Sequence, residues 1–140
     1  MPVTSGFNHI ATLTVDMERT VGFYRAAFDA EISFEMQAEG DHPHMVILEL
    51  GGGSALNIFE VPADEIIGDR TRQGARGAID HFGLAVDSLT TLRDVEQRLV
   101  AAGADIGHIQ RLGSEWSLFF RDVDGMELEV CAPVAPGDPE

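Results

Sequence analysis

Two stretches of the sequence share one design and decide the fold. The first is FNHIATLTVD, residues 7–16, and the second is IDHFGLAVD, residues 79–87. Both contain apolar and β-branched residues, carry a histidine near the start and close on an aspartate, which is typical of a strand that leads into a helix. A repeat of this kind predicts that the chain contains two copies of one structural unit.

A helix pattern and three strand signals follow each opening strand. In the first half, Met17, Val21, Tyr24 and Phe28 are spaced as one face of a helix, and Asp16 stands at the N-cap position. In the second half, an Asp-Ser pair precedes a leucine-rich helix pattern that stops at a glycine. Further strands are predicted at residues 31–36, 44–50 and 55–61, and at 105–110, 116–121 and 126–131.

The order of these elements defines the predicted architecture. Each half reads as strand, helix and three strands, so we predict an α+β fold of two tandem βαβββ units with cupped mixed sheets. The units are expected at residues 7–61 and 79–132 within a single domain, 1–140. A polar connection at 62–78 joins them, and residues 133–140 are predicted to form a loose tail.

Composition excludes several classes of function. The chain has 140 residues, with 24 Asp and Glu against nine basic residues, all of them Arg, for a formal net charge of −15. This charge repels phosphate backbones and anionic lipid, so neither nucleic-acid binding nor membrane binding is predicted. The absence of lysine excludes Schiff-base chemistry. One cysteine and no long apolar run predict a cytoplasmic protein.

The opening strands carry the first chemical signal, a histidine at the same place in each. Taken singly, His9 or His81 is more often a hydrogen-bonded core residue, but equivalent positions in two units can bring both imidazoles to one point. On the final strand, alternation sends Glu127 and Glu129 to one face. We interpret Glu127 as solvated and Glu129 as facing a cavity. Two imidazoles and one carboxylate suit a divalent metal with open coordination positions.

Several short motifs, taken in order, resemble those of the vicinal oxygen chelate superfamily, also called the glyoxalase/bleomycin-resistance/extradiol-dioxygenase fold. The resemblance covers residues 7–130, nearly the whole chain. Two departures are local, since Phe28-Asp29 replaces a usual Leu-Gly and Val123 replaces a usual proline. The matching segments are the strand from His9 to Asp16, Gly22-Phe23-Tyr24-Arg25, Asp80-His81-Phe82, Ala101-Ala102-Gly103 and residues 119–125 ahead of Glu129.

The resemblance implies a metal site and an assembly. His9, His81 and Glu129 fall on metal-ligand positions of the family, and a fourth position falls on either Asn57 or Glu60. The expected cofactor is a divalent ion such as Fe, Mn, Ni, Zn or Mg. The resemblance also implies a homodimer, with the site between subunits and His9 of one chain meeting the other two ligands of its partner.

Strand alternation indicates which residues face the substrate. Leu13 shares a strand face with His9, and Ser117 shares a face with Phe119. With Asn57, these residues form the predicted substrate pocket, whose largely apolar walls suit a small, partly hydrophobic ligand.

Charged side chains elsewhere are interpreted as surface groups. Arg70, Arg72 and Arg76 crowd the connection, where solvated loop charges are favoured over attraction of an anionic substrate. Surface positions are also predicted for the remaining histidines, which lack a partner at ligand spacing: His42, His44 and His108.

Two functions fit these patterns. The first is a metal-dependent enzyme that acts on a small metabolite chelated through vicinal oxygens, by lyase, isomerase or extradiol-type dioxygenase chemistry. The alternative is a non-catalytic protein that binds a drug or antibiotic in the same cavity. Retention of three ligand residues favours the enzyme. Leu13 stands where glyoxalase I is expected to carry an arginine, and fosfomycin-modifying members rely on a lysine, so neither subfamily is supported.

Overall fold

The computed structural model describes all 140 residues and contains two α-helices and nine strands in two mixed sheets. The predicted α+β class and the two tandem βαβββ units are confirmed. In chain order the elements are β1 (His9–Thr14), α1 (Met17–Phe28), β2 (Glu31–Met36), β3 (Met45–Gly51), β4 (Ser54–Glu60), a 3-10 turn (Ala63–Glu65), β5 (Phe82–Ala85), α2 (Leu89–Ala101), β6 (Asp105–Ile106), β7 (Gln110–Leu112), β8 (Glu115–Arg121) and β9 (Glu127–Pro133).

The chain divides into two compact units, Met1–Ile67 and Gly68–Glu140. The boundary falls inside the polar connection at residues 62–78. Neither helix is long and apolar enough to span a lipid bilayer.

The first unit contains a four-stranded sheet in the order β1-β4-β3-β2, in which β1 runs parallel to β4 and the other neighbours are antiparallel. Helix α1 contacts β3 and β4. It begins where the side chain of Asp16 accepts a hydrogen bond from Arg19 N. It ends at Phe28, and the capping residue Asp29 takes the left-handed conformation, with φ of 53°, that a glycine would adopt at no steric cost. The Phe28-Asp29 departure from Leu-Gly is therefore accommodated by the backbone.

The second unit repeats this arrangement. Its sheet has the order β5-β9-β8-β6, with β5 parallel to β9, and the short strand β7 also pairs with β8. Helix α2 is capped by Ser88, whose hydroxyl accepts a hydrogen bond from Thr91 N, and it contacts β6, β8 and β9. One face of the sheet is thereby covered by the helix, and the opposite face is left for other contacts.

The single strand predicted at residues 105–110 is interrupted. Ile106 pairs with Phe120 and Gln110 pairs with Ser117, so four steps along one strand match three along β8. One extra residue must therefore be accommodated, and the run around Gly107 leaves the ladder as it would at a β-bulge. The result is two short strands, β6 and β7, where the residue pattern predicts one.

Candidate functional site

Strand β9 separates the interior of the second unit from the face that can carry chemistry. Leu128 and Val130 alternate with Glu129 and are fully buried. The alternation places Glu129 and Cys131 on the side away from α2. A Cβ built on Gly83 of β5 would lie 3.8 Å from the Cys131 sulfur, so this part of β5 leaves room on the same face.

The side chains of His81 and Glu129 meet on this face. His81 lies just before β5, and its Nε2 is 3.2 Å from Oε2 of Glu129. The two side chains are 30% and 16% exposed, so they are partly shielded yet reachable from solvent. The structure thus brings together two of the three residues predicted from the sequence as metal ligands.

Each member of the pair is also hydrogen-bonded to a second residue through its other polar atom. Nδ1 of His81 lies 2.7 Å from Oδ2 of Asp80, and the hydroxyl of Ser117 donates to Oε1 of Glu129 at 2.5 Å. Because a carboxylate only accepts hydrogen bonds, Asp80 assigns a proton to Nδ1 of His81. This outer layer fixes the orientation of both groups and leaves His81 Nε2 and Glu129 Oε2 facing each other.

The surroundings shift the pKa values of both groups toward their charged forms. The hydrogen bond to Asp80 raises the pKa of His81; burial opposes it and the Glu129 carboxylate adds to it. For Glu129, burial favours the neutral form, but hydrogen bonds from Ser117, Cys131 and His81 outweigh it and lower the pKa. The pair therefore joins an ionised carboxylate to an imidazole whose two nitrogens both face carboxylates.

This arrangement fits a divalent cation. With the Nδ1 proton directed at Asp80, Nε2 faces Glu129 either as an imidazolium or with its lone pair available to an ion shared with the carboxylate. Nitrogen and oxygen ligands lie about 2.0–2.2 Å from such an ion, so neighbouring donors are roughly 3 Å apart. The observed separation of 3.2 Å matches that requirement. No group of three or more His, Cys, Asp or Glu side chains in the chain is arranged to hold a metal by itself.

Other residues on this face have supporting roles. Phe119 places its ring 5.1 Å from the imidazole of His81 in an edge-on contact, and it pairs with Glu129 across β8 and β9. Ser117, a predicted pocket residue, is 1% exposed, and its hydroxyl donates to Glu129. Burial, with Glu129 nearby, raises the pKa of Cys131 to about 12, which keeps it a thiol and argues against a nucleophilic role.

The first unit presents its own histidine in the same way. His9 opens β1, is exposed, and has Nδ1 2.8 Å from the side-chain oxygen of Asn8. In both units, therefore, the side chain immediately before the histidine engages Nδ1, so Nε2 is the nitrogen that could bind a metal. The pattern Asn8-His9 and Asp80-His81 is already visible in the sequence, although its meaning is clear only from the hydrogen bonds.

The two candidates for a fourth ligand differ in their surroundings. Asn57 lies on β4 opposite Ala11. Glu60, at the end of the same strand, accepts a hydrogen bond from the backbone N–H of Met17 at 2.6 Å. This contact ties the Glu60 carboxylate to the start of α1, where the helix dipole favours negative charge. Leu13, a predicted pocket residue, pairs with Phe59 across β1 and β4.

Two residues around the pair are not indicated by any sequence pattern. Asp80 orients His81, and Arg76 binds Asp80 through Nε and Nη2 at 3.2 and 3.0 Å. The polar segment around Arg76 predicts a solvated loop charge, but its side chain is only 9% exposed and also bonds to Glu127. The acidic residue directly before His81 was the one available signal. Nothing in the spacing links Arg76 to a glutamate 51 residues away.

Comparison with known proteins agrees with this fold. The family model for the Glyoxalase/Bleomycin resistance protein/Dioxygenase superfamily matches residues 6–130. The chain belongs to this superfamily. A search of curated proteins finds no match.

Solved structures with the same fold include a glyoxylase/bleomycin resistance protein/dioxygenase domain from Frankia sp. EAN1pec, with a TM-score of 0.76 and 28% identity over 94% of this chain and 99% of that chain. The fosfomycin resistance protein FosX from Listeria monocytogenes has a TM-score of 0.69 and 20% identity, with 94% and 96% of the two chains covered. Lactoylglutathione lyase from Agrobacterium tumefaciens has a TM-score of 0.66 and 21% identity over the same shares. At these two identities the likeness shows a common fold.

Proposed function

We propose that the chain is a divalent-metal-dependent enzyme that acts on a small metabolite bound through two neighbouring oxygens. The proposal depends on one observation above all, the contact of 3.2 Å between His81 Nε2 and Glu129 Oε2. Both groups lie on the sheet face away from α2, and both are oriented by a second residue. In this proposal His81 and Glu129 are two metal ligands, and His9 supplies the third.

The chain's own residues would prepare the site before any substrate arrives. Asp80 holds the Nδ1 proton of His81, and the Ser117 hydroxyl proton occupies Oε1 of Glu129. Nε2 of His81 and Oε2 of Glu129 are then the two atoms that would bind the ion. Phe119 contacts the imidazole edge-on and provides an apolar neighbour for it. Such preorganisation raises metal affinity because little side-chain freedom is lost on binding.

A bound divalent cation would supply Lewis acidity toward the two substrate oxygens and stabilise negative charge that develops on them. Lyase, isomerase and extradiol-type dioxygenase reactions all use this chemistry, and two histidines with one carboxylate are compatible with each of them. The apolar character of Phe119 and Leu13 favours a small, partly hydrophobic substrate over a highly charged one.

We propose further that the protein is a homodimer in which His9 of one subunit joins His81 and Glu129 of the other. A two-residue cluster leaves a metal with fewer protein ligands than catalytic sites usually provide, which supports a third contribution. The Asn8–His9 hydrogen bond leaves Nε2 of His9 available for it.

Titration with Mn(II), followed by electron paramagnetic resonance of the free ion, tests the metal site. Mn(II) is a suitable probe because FosX from Listeria monocytogenes has been crystallised with it. We expect wild-type protein to bind one ion per site, and His81→Ala and Glu129→Ala to lose at least tenfold in affinity. His108→Ala, at an exposed histidine, is the matched control and should bind as wild type. Absence of stoichiometric binding, or an unchanged affinity in His81→Ala, contradicts the proposal.

A further inference from the structure

Arg76 binds one residue near each member of the His81–Glu129 pair. Its guanidinium bonds to Oδ1 of Asp80 through Nε and Nη2, and to Oε2 of Glu127 through Nη1 at 3.0 Å. We propose that Arg76 is a positioning residue of the metal site, which sets the placement of His81 and Glu129 by holding Asp80 and Glu127 together. This inference rests on the proposed function.

On the histidine side, Arg76 and His81 bind different oxygens of the Asp80 carboxylate. Two of its nitrogens bind Oδ1 of Asp80, which leaves Oδ2 for Nδ1 of His81. A carboxylate held at one oxygen by a rigid guanidinium fork has a fixed plane, so the second oxygen points in a defined direction. The orientation of the imidazole therefore depends on Arg76 although no hydrogen bond joins the two side chains.

On the carboxylate side, Arg76 binds Glu127, which lies on the same strand as Glu129. Glu127 lies two residues earlier on β9 and on the same face, and its side chain is 22% exposed. The guanidinium thus spans from the residue before His81 to β9. Because β5 and β9 are adjacent parallel strands, this bridge sets the spacing at the end of the sheet where the pair lies.

The segment that delivers Arg76 is itself folded back on the unit. Nη1 of Arg76 also donates to the carbonyl oxygen of Arg70 at 3.1 Å, and Arg121 on β8 donates to the carbonyl of Thr71 at 3.0 Å. Gly68 has a φ of +95°, and a Cβ there would lie 2.8 Å from the carbonyl oxygen of Ala75. The segment therefore requires a glycine at position 68 to form the turn that brings Arg76 to Asp80 and Glu127.

Charge alone makes the opposite prediction from positioning. A fixed positive charge close to a cation site weakens metal binding by repulsion, so its removal should strengthen binding. If Arg76 acts by orienting the ligands, its removal should weaken binding instead. Loss of a residue that orients metal ligands typically costs about 10- to 100-fold in affinity. The sign of the change separates the two roles.

The experiment compares Arg76→Gln with Arg72→Gln, which removes the same charge from an exposed position in the same segment. We expect the Mn(II) affinity of Arg76→Gln to fall about tenfold or more, and that of Arg72→Gln to stay within about twofold of wild type. Equal or tighter binding by Arg76→Gln overturns the inference. If circular dichroism shows that Arg76→Gln is unfolded, Arg76→Lys takes its place. A single ammonium cannot reproduce the guanidinium fork, so a loss is again expected and unchanged affinity overturns the inference.

A second readout needs no metal. In apo protein with labelled imidazole nitrogens, at a pH where His81 is neutral, wild type should show the Nδ1–H tautomer alone, and Arg76→Gln should show both tautomers. A single unchanged tautomer in the variant overturns the inference.

The proposed function and the role of Arg76 are contradicted by different results. If wild type binds no Mn(II), the proposed function fails and the tautomer still decides the role of Arg76. If His81→Ala loses binding and Arg76→Gln does not, only the inference fails.

Discussion

Asn57 and Glu129 occupy the same register position in the two units. Asn57 lies opposite Ala11, two residues after His9, and Glu129 lies opposite Gly83, two residues after His81. The sequence repeat is therefore also a repeat in strand pairing, with a carboxylate in one copy and an amide in the other. Since an amide is a weak ligand, the first unit would contribute its histidine without an equivalent acidic ligand.

Placing a carboxylate at position 57 tests whether Asn57 and Glu129 are equivalent in the site as they are in register. Asn57→Asp should raise Mn(II) affinity, because it adds a carboxylate at the position equivalent to Glu129. Asn57→Ala should change the affinity by less than about twofold, since the amide contributes little. Competition with a fluorescent chelator measures both. An affinity that falls in Asn57→Asp would show that the equivalence in register does not extend to the site.

Glu60 is expected to stabilise the fold rather than bind metal. Its carboxylate accepts the Met17 N–H at the start of α1, and loss of a capping interaction costs about 1 kcal/mol. Glu60→Ala should therefore lower the free energy of unfolding by about that amount and leave Mn(II) affinity unchanged. Urea denaturation measures the first quantity, with Glu65→Ala, at an exposed position, as control. A tenfold loss of metal affinity in Glu60→Ala would identify it as the fourth ligand instead.

The lone tryptophan offers a probe of the chain's last residues. Oδ2 of Asp138 accepts hydrogen bonds from Ala135 N and from Nε1 of Trp116, both at 2.8 Å, and these bonds lower the pKa of Asp138, the backbone bond from Ala135 contributing most. A lowered pKa in the folded state means that the interaction stabilises the protein above the ordinary carboxylate pKa and is lost as pH falls through the folded value.

This sign gives a pH-dependent difference between wild type and Asp138→Ala. Wild type should have the higher Tm at neutral pH, and the difference should shrink as the pH falls below about 4. Thermal unfolding followed by Trp116 fluorescence across this range measures it. A Tm difference that is constant with pH would show that the ionised carboxylate is not what stabilises the contact.

The homodimer proposal can be tested by mixing two variants that each lack one of the proposed metal ligands. His9→Ala and His81→Ala should each lose Mn(II) binding. If His9 and His81 of one site come from different subunits, heterodimers of the two variants contain one intact site and one site lacking both histidines. Mixed and reannealed protein should then regain binding at up to half the wild-type stoichiometry in the heterodimer fraction. No recovery, in samples shown by native mass spectrometry to contain heterodimers, would contradict a shared site.

Much of the fold was predictable because it depends on local patterns. The helical spacing of Met17, Val21 and Tyr24 gives the buried face of α1, and the strand at Glu31–Met36 has the predicted bounds. The break between β6 and β7 was not predictable, since a bulge depends on the pairing partner rather than on the strand's own residues.

The repeat, strand alternation and the family resemblance together indicate His81 and Glu129 as ligands, and all three act at the level of the backbone. The roles of Arg76, Asp80 and Glu60 did not follow, because each depends on where the end of a side chain reaches. An arginine in a polar segment reads as a solvated charge until its partners are known. The partners of Arg76 are Asp80, Glu127 and the carbonyl oxygen of Arg70, and no periodicity in the sequence connects them.

Crystals soaked in Mn(II) and measured at a wavelength where manganese scatters anomalously provide the most direct test of the central claim. We predict one anomalous peak per site, about 2.0–2.3 Å from Nε2 of His81, from a carboxylate oxygen of Glu129 and from a nitrogen of His9. The account would be contradicted if the manganese peak lay elsewhere in the protein. It would also be contradicted if no peak appeared and His81 and Glu129 remained in direct contact.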